Sequence, residues 1–295
     1  MVESPVIIDF PGPELAPGNA GDWLAWANAE LQAHSDSARA DAERLLSTLL
    51  DCSIGALMLR RDQALERALV LRYVGWVERR KLGEPVAYIT ARQGFWNLDL
   101  IVDSAVLIPR PDTEILVEWA LELARGFGDE PRIADLGTGS GAIALALAGE
   151  LPTAFVTATD QSLAALEVAR ENAAAALPGR TVEFVEGAWF APLAGRQFEL
   201  IVSNPPYIAD GDPHLSALQY EPRSALVAGA DGLDDLRAIT TTANAHLASG
   251  GWLLLEHGAE QGAAVRGLLA AAGFDAIETR KDFGGNERVT GGRSR

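Results

Sequence analysis

Nine residues decide most of what this chain can fold into. Ile133-Ala134-Asp135-Leu136-Gly137-Thr138-Gly139-Ser140-Gly141 pass from an apolar, strand-like segment into a turn with glycine at alternate positions, and a helical pattern follows at once. The glycines strip side chains from the turn, so a ligand can lie against bare backbone next to a helix N-terminus. The alternation then continues to the C-terminus. Strands are expected at Arg132 to Leu136, Phe155 to Thr159, Val182 to Val185, Phe198 to Ser203, Gly251 to Glu256, Phe274 to Thr279 and Glu287 to Thr290. Helices are expected between them at Gly141 to Glu150, Ser162 to Ala176, Leu233 to Leu247 and Ala259 to Ala272. Such a pattern specifies an α/β fold, a parallel sheet wrapped by helices.

The glycine turn reads as a nucleotide-like cofactor site. Asp160 ends the next strand, where its carboxylate can accept both hydroxyls of a ribose. Gly137 to Ala142 also fits the loose dinucleotide pattern G-x-G-x-x-A, which leaves a nicotinamide-dependent dehydrogenase open. Asp135 argues against it. A carboxylate two residues before the first glycine suits the ammonium and nearby sulfonium of S-adenosylmethionine and is awkward beside a pyrophosphate.

A second stretch ends the fourth strand of the series. Phe198-Glu199-Leu200-Ile201-Val202-Ser203 stops abruptly at Asn204-Pro205-Pro206-Tyr207. Neither proline donates a backbone hydrogen bond, and each restricts the residue before it, so the Asn204 side chain and the Pro205 carbonyl become a stiff pair of acceptors. In an open α/β sheet, ligands bind beyond the carboxyl ends of the strands where strand order reverses. Such acceptors suit a planar amide or an aromatic amine, whose nitrogen must be oriented before it can attack a methyl group.

Upstream, residues 1 to 20 carry prolines and glycines without apolar period and read as a flexible tail. Residues 21 to 84 follow three- and four-residue apolar spacings, with no proline between Pro17 and Pro85, and predict a small all-helical domain. Residues 85 to 106 alternate through Val86, Tyr88, Phe95, Leu98, Leu100 and Val102, suggesting a hairpin linker; residues 107 to 295 form the α/β domain. Pro111 opens a helix in which Leu116, Trp119, Ala120 and Leu123 form a buried stripe.

Composition narrows the function. The net charge of −17 disfavours a chain whose work is gripping phosphate backbones, and the basic clusters Arg60-Arg61 and Arg79-Arg80-Lys81 read as solvated helix faces. Cys52 is the only cysteine and the four histidines are scattered, so neither a disulfide nor a metal site is expected. The apolar runs are far short of a membrane span, and a cytoplasmic location is expected.

With Asp135 and the glycines in view, Asp-Leu-Gly-Thr-Gly-Ser-Gly resembles the first motif of the class I S-adenosylmethionine-dependent methyltransferases. Further segments narrow the resemblance: Gly83-Glu84-Pro85-Val86-Ala87-Tyr88, Leu107-Ile108-Pro109-Arg110-Pro111-Asp112-Thr113-Glu114, Ser203 to Ile208, Glu221-Pro222, Leu254-Leu255-Glu256-His257-Gly258 and Asn286-Glu287-Arg288-Val289. Together, from about residue 37 onward, the chain is similar to the peptide chain release factor N5-glutamine methyltransferases. The resemblance implies a Rossmann-like, mostly parallel seven-stranded sheet with a small helical N-terminal domain that helps hold the protein substrate. It implies methyl transfer from S-adenosylmethionine, leaving S-adenosylhomocysteine, to the glutamine of the Gly-Gly-Gln motif of class 1 release factors, with neither nucleic acid nor membrane as a direct partner.

By the same resemblance, Gly137, Thr138, Gly139, Ser140, Gly141, Asp160, Trp189 and Asn204 contact the cofactor, and Asp135 joins them because its charge suits the ammonium and sulfonium. Asn204, Pro205, Pro206 and Tyr207 hold the glutamine, with Asn204, Pro205 and Tyr207 carrying the catalysis. Trp189 covers the adenine. The family often has an acid just before this tryptophan, and here Ala188 stands there. His257 reads as a structural histidine rather than a base; Arg110 and Glu114 read equally well as cofactor-pocket residues and as helix caps. The segment from Ile208 to Asp231 reads as a loop closing over the substrate. Rival readings are a glutamine methyltransferase of a ribosomal protein, a DNA adenine N6-methyltransferase, which should carry a basic recognition region, and a non-catalytic cofactor-binding module.

Overall fold

The computed structural model describes residues 18–295. The expected tail therefore lies outside the described residues except at its end, and that end is not a tail. Asn19 caps α1 (Ala20–Leu31): its side-chain oxygen accepts from the Asp22 amide at 3.0 Å while the Asp22 carboxylate accepts from the Asn19 amide at 3.1 Å. Ala20 is fully buried.

The chain divides into two compact units that meet between Thr90 and Ala91. In the first, α1, α2 (Ala38–Leu49), α3 (Ile54–Leu59) and α4 (Arg67–Lys81) bury Trp23, Leu31, Leu45, Leu46, Leu57, Tyr73 and Val77 together. The helices form because those side chains recur every three or four residues, and the burial stabilises them. The Tyr73 hydroxyl donates to the Ala42 carbonyl at 2.9 Å, so its polar end is satisfied inside the core. The basic cluster at the end of α4 is committed to acids of its own unit: Arg79 to Glu84, Arg80 to Asp41 at 2.8 Å and Lys81 to Glu30 at 2.8 Å. It offers no free basic stripe to a phosphate backbone.

Val86–Thr90 is a short helix, α5, where the Val86 and Tyr88 alternation suggested a strand. Pro85 sits just before it, and its carbonyl accepts from the amides of Tyr88 and Ile89. A proline there starts a helix rather than a strand, since its missing N–H is not needed. The hairpin is shorter than expected: β1 (Arg92–Phe95) pairs antiparallel with β2 (Leu98–Ile101).

In the second unit, a 3-10 turn at Pro111–Thr113 leads into α6 (Glu114–Ala124). Then come β3 (Arg132–Leu136), α7 (Ala142–Glu150), β4 (Phe155–Asp160), α8 (Leu163–Ala176), β5 (Val182–Glu186) and β6 (Phe198–Ser203). They are followed by α9 (Asp234–Ala243), β7 (Leu247–Glu256), α10 (Gly262–Ala271), β8 (Asp275–Lys281) and β9 (Glu287–Arg293). The seven strands from β3 to β9 form one sheet in the order β5-β4-β3-β6-β7-β9-β8, parallel except where β9 runs against β7 and β8. β7 begins four residues before the expected Gly251 because Leu247 pairs with Phe198 across a bulge.

Successive residues feed the two faces. Ile133, Val202 and Leu254 pack with α6 and α7 on one side; Leu136, Ile201 and Leu255 pack with α9 and α10 on the other. The strand order reverses between β3 and β6. Their register is tight: Asp135 pairs with Val202 and Leu136 with Ser203, whose buried hydroxyl donates to the Leu136 carbonyl at 2.7 Å. The residues just beyond both strands, Gly137 and Asn204, therefore emerge side by side.

Candidate active site

The cleft at that junction holds about 120 Å³ and opens to solvent. Its floor is the glycine loop, with Gly137 at φ +72°, Gly139 at +55° and Gly141 at +84°, conformations that L side chains rarely adopt. The Gly137 and Thr138 amides both donate to the Thr159 carbonyl, at 2.8 and 2.9 Å, which folds the loop back over β4. A Cβ on Gly137 would come within 3.0 Å of the Trp189 ring. That glycine thus provides the space between the β3 end and the indole.

Gly137, Thr138, Gly139, Ser140, Asp160, Trp189, Asn204 and Pro206 all line the cleft. Asp160 accepts from the Gly139 amide and from the Ser162 amide, both at 2.9 Å, one on each carboxylate oxygen. Each oxygen keeps a lone pair for a ligand hydroxyl, so a diol fits its two acceptors. Trp189 itself has φ +49°, and Thr159 holds it by donating to its carbonyl at 3.2 Å.

Two expected cofactor residues are placed elsewhere. Asp135 does not reach the cleft wall: it is fully buried on the face that carries Ile133, and its Oδ2 accepts from the Thr138 hydroxyl at 2.7 Å and the Ala144 amide at 3.2 Å. Its parity along β3 turns it toward α7, so it holds the loop from behind. Burial pushes its pKa up to about 7, and the neighbouring Asp160 adds to the rise, against the bonds from Thr138 and Ala144. Gly141 also lies off the wall. It is the N-cap of α7, and a Cβ there would press on Leu145 and Ala169, so its work is close helix packing.

At the other side of the junction, the Asn204 side-chain nitrogen donates to the Thr113 hydroxyl at 3.2 Å. Among the described residues its oxygen meets no protein donor, and neither does the Pro205 carbonyl. The ring of Pro205 is buried below the wall, while Tyr207 is half-buried with its hydroxyl 3.4 Å from Glu256 Oε1. Burial, together with the adjacent Glu256 charge, raises the Tyr207 pKa, so it stays a neutral phenol. The Tyr207 carbonyl is gripped by Gln261 at 3.0 Å, and Gln261 in turn accepts from the Gly258 amide at 2.8 Å.

Three other residues read as uncertain from the sequence have structural places. His257 donates from Nδ1 to the Gly258 carbonyl at 2.8 Å and accepts at Nε2 from Thr290 at 2.7 Å, while burial lowers its pKa; both nitrogens are committed. Glu114 accepts from the Trp96 amide at 2.8 Å, and Arg110 pairs with the buried Glu221. Glu221 also takes the Ile108 amide at 3.1 Å, which anchors the 208–231 loop so that Pro222, Ser224 and Ala225 form part of the cleft wall.

Sequence reasoning missed Thr113 and Asp235. Asp235 lines the cleft near Ala188; burial raises its pKa and the Trp189 indole, which donates to it, opposes that rise. Neither residue belongs to a local pattern. Among the described residues no group of three or more His, Cys, Asp or Glu is placed to hold a metal, and no helix is long and apolar enough to cross a membrane.

Comparison with known proteins agrees with this geometry. A family model described as the PrmC N-terminal domain matches residues 22–90, and one described as the Methyltransferase small domain matches residues 112–270. A release factor glutamine methyltransferase of Xylella fastidiosa (strain Temecula1) is 54% identical over 257 residues, covering 86% of this chain and 93% of its own. Its counterpart in Escherichia coli (strain K12) is 45% identical over 273 residues, covering 92% of this chain and 97% of its own. A methyltransferase structure from Pyrococcus furiosus superposes with a TM-score of 0.51 at 18% identity, over 73% of this chain and 96% of that one, and shares the fold.

Proposed function

This chain belongs to the release factor glutamine methyltransferase family, and from that premise we propose that it methylates the side-chain amide nitrogen, N5, of the glutamine in the Gly-Gly-Gln motif of class 1 peptide chain release factors. S-adenosylmethionine is the donor, S-adenosylhomocysteine the product, and the cytoplasm the setting. The observation that carries the reading is the β3–β6 register, which brings the glycine loop and Asn204 to one cleft.

The residues present fit that cofactor. The bare Gly137 backbone leaves room beside Trp189 that a Cβ would fill, and Asp160 offers two held acceptors for a ribose. Trp189 would cover the adenine, Asp235 stands on the wall near Ala188, and the bare backbone of Gly137 and Gly139 leaves room for the rest of the ligand. Bound there, S-adenosylmethionine supplies a methyl group on an electron-poor sulfonium.

The remaining work belongs to the chain. A glutamine amide is a poor nucleophile because its nitrogen lone pair is delocalised into the carbonyl. The Asn204 oxygen and the Pro205 carbonyl each accept one substrate N–H, which fixes the plane of the nitrogen and draws its lone pair out of conjugation. Tyr207 packs beside the planar amide. No strong base is needed, since the nitrogen becomes acidic as it gains a methyl and loses its proton to water or to the same acceptors. Orientation is the main resource, and well-aligned reactants gain roughly 7–11 kcal/mol from it.

The test offers labelled S-adenosylmethionine with, in separate reactions, an unmethylated class 1 release factor, ribosomal proteins and adenine-containing duplex DNA. Label on the Gly-Gly-Gln peptide alone is the expected result. Label on DNA or a ribosomal protein, with none on the release factor, overturns the reading.

A further inference from the structure

Glu256 ends β7 and pairs with Val289 near the start of β9, which runs the opposite way, so the β8–β9 turn projects from the carboxyl edge of the sheet. That edge also carries Gly137 and Asn204. Phe283 stands in the turn and is 85% exposed. Single exposed apolar side chains are common, and Phe155, 59% exposed at the start of β4, is an ordinary one on the opposite edge. Phe283 differs in how it is held and in what it stands beside.

The turn is tied down at both ends. The Asp282 amide donates to the Asn286 carbonyl and the Asn286 amide to the Asp282 carboxylate, each at 2.9 Å, and the Gly285 amide donates to the Asp282 carbonyl at 2.9 Å. Arg288 pairs with the Asp282 carboxylate at 3.0 Å and reaches Asp112 at 3.3 Å. The residue after Asp112 is Thr113, which accepts from the Asn204 side chain at 3.2 Å. These contacts join the turn to the acceptor asparagine. Gly284 and Gly285 follow the phenyl and bring no side chain to cover it. A ring preset on an ordered turn loses little freedom when a partner covers it.

We propose that Phe283 is a docking point for the protein substrate: its ring packs on the release factor segment that flanks the Gly-Gly-Gln glutamine. This deepens the proposed function, on which it rests, by giving the substrate a contact outside the catalytic cleft. Glutamine itself dictates the occupant. Its amide nitrogen is only roughly 5 Å from its own Cα, so when that nitrogen reaches Asn204 the substrate backbone lies against the carboxyl edge and its neighbouring residues cross the turn. Nucleic-acid bases also stack on exposed rings. Here the nearby guanidiniums are committed, Arg266 to Glu287 and Arg288 to Asp112 and Asp282, and a chain charge of −17 disfavours a phosphate backbone.

The test uses the full chain, Phe283→Ala, Phe283→Leu and, as a control on the opposite edge, Phe155→Ala. Affinity for unmethylated class 1 release factor is measured by calorimetry with S-adenosylhomocysteine saturating, beside S-adenosylmethionine affinity, kcat and the midpoint of thermal unfolding. Phe283→Ala should weaken release factor binding by about tenfold, as expected for one phenyl partly buried by the partner, and Phe283→Leu by less. Both should keep wild-type kcat at saturating release factor, cofactor affinity and unfolding midpoint, and Phe155→Ala should change none of the four quantities.

Unchanged release factor affinity in Phe283→Ala overturns the docking role, as does an equal loss in Phe155→Ala or a loss confined to cofactor affinity. A single-stranded oligonucleotide that binds the wild type but not Phe283→Ala overturns it as well, in favour of a base. A wild type that binds release factor without methylating it refutes the substrate assignment, while Phe283→Ala still reads the docking. A wild type that does not bind release factor refutes both.

Discussion

The two halves of the cleft are built by different means. On the β3–β4 side the working surface is backbone: glycines at positive φ, amides bonded to Thr159 and Asp160, and a carboxylate held by two main-chain N–H groups. On the β6–β7 side it is side chain: Asn204 is held by Thr113, 91 residues away in sequence, and Tyr207 leans on Glu256, 49 residues away. A backbone cradle recognises what all reactions of this kind share, the donor. A side-chain constellation can be set for one acceptor, and its accuracy depends on distant segments being brought into register.

That contrast can be broken most sharply on the backbone side. Gly137→Val places a β-branched residue at φ +72° with its Cβ 3.0 Å from Trp189. Left-handed backbone costs such a residue about 1–2 kcal/mol before the collision is counted. S-adenosylmethionine affinity by calorimetry should fall by about 100-fold, since strain at a ligand clamp adds to the lost contact. Retained affinity would mean the loop is not the cradle. Asp160→Ala should cost about 10–100-fold in the same measurement, the worth of hydrogen bonds to a charged group, with the release factor KM unaffected.

Smaller effects test what supports both sides. Asn172, 1% exposed on α8, accepts from the Ile101 amide at 2.6 Å and donates to the Ile101 and Ser140 carbonyls, each at 2.9 Å. Asn172→Ala should lower unfolding free energy by about 2–3 kcal/mol in urea titration through the groups left unpaired, while turnover of the folded fraction survives. The buried acids give the gentlest effect. Asp135 and Glu256 each titrate near pH 7, well above the ordinary carboxylate range, because burial disfavours their charge. Their folded forms hold protons that the unfolded chain has released, so stability from these groups is present below the ordinary carboxylate pKa and is lost as pH rises toward about 7. Asp135→Asn should therefore flatten the fall in unfolding midpoint between pH 5 and pH 8 relative to wild type; an unaltered slope would contradict the assignment.

The same contrast explains what could be read from the chain. The glycine turn, Asp160 and Asn-Pro-Pro-Tyr are local: each residue type answers a constraint set by its immediate neighbours, and each lies at the end of the strand where the pattern places it. Asp135 shows the limit of a local reading: a carboxylate near a glycine loop suggests a ligand contact, while its parity, shared with Ile133, turns it toward α7. Thr113, Asp235 and the contact of Tyr207 with Glu256 are invisible locally, since only the strand order brings their segments together. Val86 and Tyr88 alternate as a strand would and so suggest a hairpin, but two alternating positions in five residues are too few to fix a period, and Pro85 starts a helix there instead.

The most direct test of the account is a single-turnover comparison of wild type and Asn204→Ala, with saturating S-adenosylmethionine bearing a labelled methyl group and release factor followed by mass spectrometry. The account predicts one label on the Gly-Gly-Gln side-chain amide in wild type. In the variant the rate should fall by at least about 10²-fold, as expected for a misplaced reactant, with the fold intact and the cofactor still bound. Transfer by Asn204→Ala at a rate near wild type would contradict it.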